Sequence, residues 1–361
     1  MINIKVDLNG TVYPLFIGID ILSRIAEIYQ LYGYKSRAIL ITDFTLRESG
    51  FFNVVFENFK KINVEIVPIF LIVQRPENGL NLVEKVAEQL EKHQFKANET
   101  IISLGGSLVN NIGAFVAKII YGGVAYFQIP TTLTAQVVQS VSPICYLNSA
   151  SVVNLFSTKY EPSLVWNDVA LLKSLPEKNI ISGLGHLIHD AYLYDSSMFE
   201  FLEINLKEII NLNVGIIEET ITRSCQKRIT LSKDQRNQHK NRMSRGFGEF
   251  VASFILKASQ NSVKYGEAIL LGMLIEAIVA FRLGVLMDVH FERLYQLLKQ
   301  VPFYHFLYQI DPQKLIESLK DDIHSDKRFI IFLPQEVNKF TAYDECKLAD
   351  LISAIELVFY D

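Results

Sequence analysis

Three segments in the second half of the chain carry side chains that can bind a metal ion. The segment "GLGHLIHD" places His186, His189 and Asp190 within about one helical turn, so a helix would present them on one face. Glu249 stands in "RGFGEFVASF", and Tyr265 precedes "GEAILLGM". Histidine and carboxylate are common zinc ligands, whereas a phenol with a pKa of about 10 must lose its proton to bind well. Two interpretations stay open: an altered metal site, or polar side chains that hydrogen-bond one another.

A glycine pair in the first half could bind phosphate. In "ISLGGSLVNNIGAF" a strand runs into Gly105 and Gly106, and a helix follows near Val109. Such a turn can direct backbone N–H groups and a helix N-terminus at an anion, although a plain strand-to-helix turn has the same pattern. Asp43, at the end of the strand "AILITD", could bind a ribose hydroxyl or cap the helix that follows.

The elements that must position these residues differ between the two halves. Up to about residue 155, short β-rich runs such as "AILITD" and "ETIISLGG" alternate with helical stretches, which is typical of a parallel sheet covered by helices. From about residue 168 onward, helical patterns dominate. We therefore predict an α/β Rossmann-like, nucleotide-binding-like domain over 1–165 and a mostly α-helical domain over 166–361. The polar stretch 232–245 is predicted to be a loop.

Composition excludes several classes of protein. Of the 361 residues, half are hydrophobic and a fifth are charged, so a sizeable core can form. The formal net charge of −4 gives no basic surface for nucleic acid. The three cysteines are widely spaced and odd in number, which argues against a disulfide framework. The most apolar stretch, "AILLGMLIEAIVAF", is too short to span a bilayer and contains Glu276. The sequence predicts a soluble, cytoplasmic protein that binds neither nucleic acid nor membranes.

Several motifs follow one another in a fixed order along nearly the whole chain: "GGSLVNNIGAF", "FQIPTTLTAQVVQSV", "YEPSLVWND", "LLKSLPEKNIISGLGHLIHDAY", "FGEFVASFI", "YGEAILLGM" and "SDKR". Together they resemble the motifs of dehydroquinate synthase and the wider sugar-phosphate cyclase family. The resemblance implies an NAD-binding α/β domain followed by a helical metal-binding domain. It also implies a homodimer and a reaction in which bound NAD oxidises a sugar phosphate, phosphate is eliminated and a carbocycle closes. In that family a divalent metal, usually zinc, holds the substrate hydroxyls.

The family's three metal-ligand positions are all changed in this chain. The family uses a glutamate in "AEVIK", a histidine in "FGHT" and a histidine in "HGEA". The matching positions here are His186, Glu249 and Tyr265. The spacing between the last two, 265 − 249 = 16, is that of the family, which argues against misalignment. The resemblance therefore makes zinc or another divalent metal doubtful, and His189 and Asp190 stay open as additional donors.

Other family positions that bind substrate are also replaced. Ile144 stands at a lysine position, Val138 and Asn111 at acidic positions, and Gly122 at the position of a phosphate-binding arginine. Three further positions of the helical domain are changed, at His189, Gly246 and Ser253. Matching or similar residues remain at Asn154, Arg242 and Lys327, with Arg228 as a basic substitute. No catalytic residue is secure on this pattern.

The cofactor positions are better preserved. Five residues match positions that contact NAD in the family: Asp43, Gly105, Gly106, Thr131 and Thr132. Ser107 stands in place of the third glycine, while Gly79 and Leu82 replace a glutamate and a lysine. Losing two polar contacts weakens binding, since each net hydrogen bond contributes about 1 kcal/mol and charged ones contribute more. The sequence leaves NAD as a weakly bound cofactor or a lost one.

These observations support two hypotheses about function. The first is a degenerate homologue without dehydroquinate synthase activity, a pseudoenzyme that binds a small phosphorylated ligand or a protein partner. The second is an active sugar-phosphate cyclase with a reshaped site and a different substrate. The second requires His186, His189, Asp190, Glu249 and Tyr265 to converge on one point.

Overall fold

A sheet with helices on its faces forms the first part of the structure, and a helical assembly forms the second. The computed structural model describes residues 1–8, 11–32, 34, 36–72, 79–142, 144–149, 154–160, 162–233, 246–323 and 329–360. The chain divides into one unit of Met1–Pro176 with Leu212–Lys233, and another of Glu177–Asn211 with Asp234–Asp361. The predicted fold class, α/β and Rossmann-like followed by mostly α-helical, is confirmed.

The strands of the described residues are β1 (Ile2–Leu8), β2 (Thr11–Gly18), β3 (Arg37–Asp43), β4 (Glu65–Leu71), β5 (Thr100–Gly105), β6 (Ala125–Pro130), β7 (Ile144–Leu147), β8 (Phe156–Lys159), β9 (Leu164–Asp168), β10 (Phe329–Glu336) and β11 (Lys339–Cys346).

The helices are α1 (Ile25–Leu31), α2 (Phe44–Glu48), α3 (Phe51–Lys61), α4 (Gly79–Lys92), α5 (Ser107–Ile119), α6 (Leu133–Val137), α7 (Glu177–Tyr194), α8 (Ser196–Ile210), α9 (Val214–Lys233), α10 (Glu249–Ala258), α11 (Tyr265–Arg282), α12 (Asp288–Leu298), α13 (Tyr304–Leu307), α14 (Pro312–Asp322) and α15 (Leu348–Tyr360). None of the helices in the described part of the chain is long and apolar enough to cross a membrane.

The sheet of the first unit brings the predicted nucleotide-binding residues to one edge. Its strand order is β1-β2-β9-β6-β5-β3-β4, and every pair except β1–β2 is parallel. Strands β5 and β9 are buried along their whole length, as is usual for strands inside a parallel sheet that helices cover on both faces. Because β3, β5 and β6 are neighbours, Asp43, Gly105 and Thr131 all lie at their carboxyl ends, where open α/β sheets bind ligands.

The second unit is built around α7, α10 and α11, with a two-stranded hairpin of β10 and β11. Helix α7 begins directly after Pro176. Proline favours extended backbone at the residue before it and is tolerated in a helix only within the first turn, so it marks the start of α7. The predicted domain boundary at residue 165 falls before the observed division, and α9 groups with the first unit although a long stretch of sequence separates them. Within the predicted loop 232–245, the first two residues belong to α9, and 234–245 lie outside the described residues.

Candidate functional site

The glycine turn of the first unit joins β5 to α5 by close packing. The N–H of Thr131 donates to the carbonyl of Gly105 across 2.9 Å, which ties the ends of β5 and β6 together. A Cβ atom added at Gly105 would lie 2.5 Å from Cβ of Val109, so only glycine fits there. Helix α5 then presents the N–H groups of its first turn at the carboxyl edge of the sheet. The geometry fits a bound phosphate, and it also gives the glycine pair a packing role.

Asp43 and Thr132 both cap helices. The Oδ1 atom of Asp43 accepts from the N–H groups of Thr45, at 2.9 Å, and Leu46, at 3.2 Å, and from the hydroxyl of Thr45. Thr132 Oγ1 accepts from the N–H of Ala135 at 3.3 Å at the start of α6. Of the two roles that the sequence left open for Asp43, helix capping is therefore the one these contacts serve. The ribose contact stays a prediction.

Packing explains two departures from the family's nucleotide pattern. Leu82 is 1% exposed and belongs to the hydrophobic core under α4. Gly79 is the first residue of α4, and its N–H donates to the carbonyl of Asn148 across 3.0 Å. A Cβ atom at Gly79 would lie 2.9 Å from Cβ of Leu147, so this start of α4 leaves no room for the family's longer side chain.

Two of the four replaced substrate positions of the first unit line a half-open cavity. Ile144 and Asn111 both line it, and Asn111 Oδ1 accepts from the N–H of Tyr146 at 3.3 Å. Val138 directly follows α6 as its C-cap and is half-buried, whereas Gly122 is exposed. Asn154 adopts a left-handed backbone conformation, and its N–H donates to Asn148 Oδ1 at 2.8 Å. Arg242 and Lys327 lie outside the described residues.

The three family metal-ligand positions do come together in the second unit. The rings of His186 and Tyr265 lie 5.8 Å apart between centroids, tilted by 32°. The hydroxyl of Tyr265 donates to Glu249 Oε1 across 3.4 Å, a long hydrogen bond. Tyr265 is 43% exposed and half-buried Glu249 begins α10. This hydrogen bond joins two of the three positions, and both interpretations from the sequence stay predictions.

His189 does not turn its Nε2 atom toward a metal. This atom lies 3.2 Å from the carbonyl oxygen of Phe247, and its Nδ1 atom lies 3.8 Å from Asp190 Oδ1. A carbonyl oxygen only accepts hydrogen bonds, so Nε2 carries a proton in this contact and has no lone pair for a metal ion. His189 therefore contacts the backbone just before α10 through Nε2. The convergence of five donors, which the second hypothesis requires, stays untested.

The donor set does not fit the family's zinc ion. Across the described ranges, no three His, Cys, Asp or Glu side chains are grouped so that they could hold a metal. The third position near His186 and Glu249 is the phenol of Tyr265, which must be ionised to bind zinc well.

Two glycines bring these side chains together. A Cβ atom at Gly185 would lie 2.0 Å from the carbonyl oxygen of Gly266, and one at Gly266 would lie 1.9 Å from that of Ser182. Helices α7 and α11 therefore cross in direct backbone contact. Gly185 precedes His186 and Gly266 follows Tyr265, so the crossing sets the distance between the two rings. Sequence analysis did not identify this role. A glycine inside a helical pattern often indicates close packing, so both positions could have been recognised from the sequence.

Glu276 is a buried carboxyl group that positions α10. It is fully buried in α11, and its two oxygens accept from the N–H of Gly248, at 2.6 Å, and of Val251, at 3.0 Å. These bonds satisfy N–H groups of the first turn of α10, next to Glu249. Burial raises the pKa of Glu276 from 4.5 to about 8; the negative charge of Glu249 adds to the rise, and the two N–H groups oppose it. A single charged residue inside the apolar stretch "AILLGMLIEAIVAF" was the sequence signal for it.

The raised pKa predicts how stability depends on pH. Glu276 takes up a proton more readily in the folded chain than in the unfolded one, so its contribution to stability is fully present below pH 4.5 and is lost as pH rises through about 8. We expect the isosteric Glu276→Gln variant to lose about 1 kcal/mol at pH 5, since an amide oxygen replaces only one acceptor. Between pH 5 and pH 9 the wild-type chain should lose several kcal/mol more than this variant, on the order of 3 kcal/mol.

Urea unfolding at pH 5, 7 and 9 measures this difference. Glu317→Gln, an exposed change on α14, is the matched control and should follow the wild-type profile. Parallel profiles for wild type and Glu276→Gln would contradict the account of this carboxyl group.

Comparison with solved structures finds the same fold in two synthases. Solved 2-deoxy-scyllo-inosose synthase, in complex with carbaglucose-6-phosphate, NAD⁺ and Co²⁺, is similar at a TM-score of 0.82, with 20% identity and coverage of 98% of this chain and 99% of that one. ValA, the 2-epi-5-epi-valiolone synthase of Streptomyces hygroscopicus subsp. jinggangensis 5008 with NAD⁺ and Zn²⁺ bound, is similar at a TM-score of 0.79, with 18% identity and 98% coverage of both chains.

The sequence comparisons define the family more closely. The family model for the 3-dehydroquinate synthase N-terminal domain matches residues 72–182, and that for the C-terminal domain matches residues 183–352. The 3-dehydroquinate synthase of Desulforamulus reducens is 28% identical over 355 residues, covering 98% of this chain and 99% of that protein. That of Thermodesulfovibrio yellowstonii is 38% identical over 217 residues, 60% of each chain. The chain belongs to the 3-dehydroquinate synthase family.

Proposed function

We propose that this chain is a ligand-binding member of the 3-dehydroquinate synthase family that does not carry out the synthase reaction. The observation that carries the proposal is the hydrogen bond from Tyr265 to Glu249 at two of the family's metal-ligand positions, with His186 beside it. A tyrosine hydroxyl that donates to the carboxylate keeps its proton and competes with any cation for that oxygen. The side chains at these positions then contact one another without a bound metal ion.

The substrate side of the first unit supports the same proposal. The family's reaction needs positive charge at the phosphate and carboxylates near the reacting carbon atoms, and the cavity at Ile144 and Asn111 offers an alkyl chain and an amide instead. A phosphate or carboxylate that is buried without a positively charged or hydrogen-bonding partner costs several kcal/mol of binding free energy, on the order of what one charged contact would contribute. The cavity therefore favours a ligand other than the family's phosphorylated acid.

Zinc content is the first test of the proposal. We expect the purified chain to contain far less than one zinc per molecule. His186 and Glu249 are the only strong donors at the three family positions, and the protonated phenol of Tyr265 binds zinc poorly. Elemental analysis after dialysis against zinc measures it. His186→Ala, with His93→Ala as the control, should leave the zinc content unchanged. About one zinc per chain that is lost in His186→Ala alone would overturn the proposal.

NAD binding is the second test. The glycine turn, Asp43 and Thr131 support a nucleotide, whereas Ser107 adds a Cβ atom where the backbone must approach a pyrophosphate. We expect a dissociation constant weaker than about 1 μM, since the buried Leu82 replaces a charged contact. Isothermal titration calorimetry measures it, and Ser107→Gly should bind NAD more tightly than wild type. Sub-micromolar binding by the wild-type chain would contradict this expectation.

An active cyclase with a different substrate is the second candidate function. Similarity to curated synthases over nearly the full length of both proteins favours it. In this case the zinc measurement would give a stoichiometric ion, held by His186 and Glu249 with an ionised Tyr265. The zinc measurement therefore distinguishes the two candidate functions.

A further inference from the structure

A buried hydrogen-bond network lies next to the glycine turn between β5 and α5. Its members are Ser103 on β5, Asn110 on α5 and Tyr126 on β6, each at most 2% exposed. Ser103 Oγ donates to Asn110 Oδ1 across 2.7 Å, and the hydroxyl of Tyr126 lies 2.6 Å from Ser103 Oγ and 2.9 Å from the carbonyl oxygen of Asn110. Helix α5 packs closely on the strands at Gly113, where an added Cβ atom would lie 3.0 Å from Cβ of Ser103. The network therefore joins the first turn of α5 to both strands.

Asn110 also bonds the glycine turn itself. Its Nδ2 atom donates to the carbonyl oxygen of Gly105 across 2.9 Å, and the N–H of Thr131 donates to the same oxygen at the same distance. The orientation of the Asn110 amide is fixed, because a carbonyl only accepts hydrogen bonds and the hydroxyl of Ser103 donates to Oδ1. Two donors, one from α5 and one from the end of β6, thus hold one carbonyl group in a turn of two glycines, whose backbone is otherwise the least restricted.

Holding this carbonyl group sets the direction of the next N–H group. The C=O of Gly105 and the N–H of Gly106 belong to one planar trans peptide unit and point in opposite directions. Since the carbonyl points at β6, the N–H of Gly106 points to the side of β3, which has Asp43 at its carboxyl end. This N–H group donates to no other group in the described part of the chain. An N–H group at this edge of a parallel sheet can bind a pyrophosphate oxygen.

We propose that Asn110 is a positioning residue for nucleotide binding: its amide fixes the peptide unit between Gly105 and Gly106 so that the N–H of Gly106 faces the pyrophosphate. Asn110 acts through this peptide unit, since its own side chain is buried and both ends of its amide are bonded within the chain. The inference rests on the proposed function, in which this chain binds a ligand, and deepens it by assigning a residue that sets the affinity for a dinucleotide.

NAD titration of the full-length chain, labelled with ¹⁵N-glycine and followed by NMR, tests the proposal. The signal of Gly106 is the one that is missing in Gly106→Ala. We expect NAD to shift this signal saturably in the wild-type chain. Asn110→Leu keeps about the size of the side chain and removes its donor. It should move the Gly106 signal even without NAD and weaken NAD binding about tenfold, because a hydrogen bond that orients the turn is lost.

Val116→Ala is the matched control for a loss of stability. Val116 lies on the same helix, further from the turn, and is 1% exposed in the core under α5. Truncating it should lower the free energy of unfolding in urea, as removal of buried methyl groups does. It should leave the NAD affinity and the Gly106 signal as in wild type. If Asn110 served stability alone, variants of equal stability at the two positions would bind NAD equally.

Asn110→Asp is the second variant, and it decides the question if Asn110→Leu does not fold. A protonated aspartic acid can donate to the carbonyl of Gly105, whereas an ionised aspartate cannot. Measured against wild type at the same pH, the NAD affinity of this variant should therefore rise as the pH falls from 9 to 5. An affinity ratio that does not change with pH would contradict the role of the Asn110 donor.

Three further results would overturn the inference: Asn110→Leu with wild-type NAD affinity, Val116→Ala weakened as much as Asn110→Leu, or an NAD titration that never moves the Gly106 signal. Each of them can occur while the chain remains without synthase activity. Turnover of the synthase substrate by the wild-type chain would overturn the proposed function and leave these binding results unchanged, so the two proposals fail separately.

Discussion

The Gly266→Ala variant is expected to lose about 3 kcal/mol of stability or more, the upper end of what overpacking costs. Its new Cβ atom would lie 1.9 Å from the carbonyl oxygen of Ser182, a backbone atom that moves only with the whole of α7. No rotamer change relieves such a contact, because both partners belong to the main chain of helices that cross there. Urea unfolding followed by circular dichroism measures the loss.

Gly215→Ala is the control for this prediction. Gly215 is also helical, but an added Cβ atom would meet only Asn213 Oδ1, at an ordinary 3.6 Å. This variant should be unchanged or more stable by up to about 1 kcal/mol, since alanine favours the helix. Equal stability of Gly266→Ala and wild type would show that α7 and α11 do not cross as described, and the placement of His186 beside Tyr265 would fall with it.

Restoring the family's metal ligands is expected not to restore synthase activity. The triple variant His186→Glu, Glu249→His and Tyr265→His should regain zinc, because it recreates a carboxylate and two imidazoles at the family's positions. It should still not convert the seven-carbon heptulosonate phosphate, since Ile144 and Asn111 line the cavity where the family has a cation and a carboxylate.

The expected size of this effect is large. Loss of one charged or oxyanion-stabilising contact typically costs about 10²-fold or more in rate. Such losses within one site are not additive, so the combined effect is smaller than their product. Zinc analysis and a phosphate-release assay on the same sample separate metal binding from turnover. Activity in the triple variant would show that the changed metal ligands alone account for the lack of synthase activity, and that the residues lining the cavity do not prevent turnover.

The fold was predictable because it depends on patterns along the chain. Alternating apolar strands and helices indicated the sheet, and the ordered motifs indicated the family. The grouping of α9 with the first unit was not predictable, since it depends on contacts such as that of Cys225 Sγ with the carbonyl of Gln136, far away in sequence. Hydrophobic periodicity does not report which sheet or helix a given helix packs against.

The candidate site was predictable in part. Family spacing marked His186, Glu249 and Tyr265, and the structure brings them together. The partner of His189 was not predictable, because a backbone carbonyl of another segment leaves no trace in side-chain type.

Phosphate release from the heptulosonate phosphate by the wild-type chain, with NAD and zinc or cobalt supplied, tests the central claim most directly. We expect no phosphate release above the no-enzyme control and no 3-dehydroquinate. Among the described residues no three His, Cys, Asp or Glu side chains are grouped to hold a metal ion, and no positively charged side chain lines the cavity at Ile144. Release above that control, with 3-dehydroquinate formed in equal amount, would contradict the account and identify the chain as an active synthase.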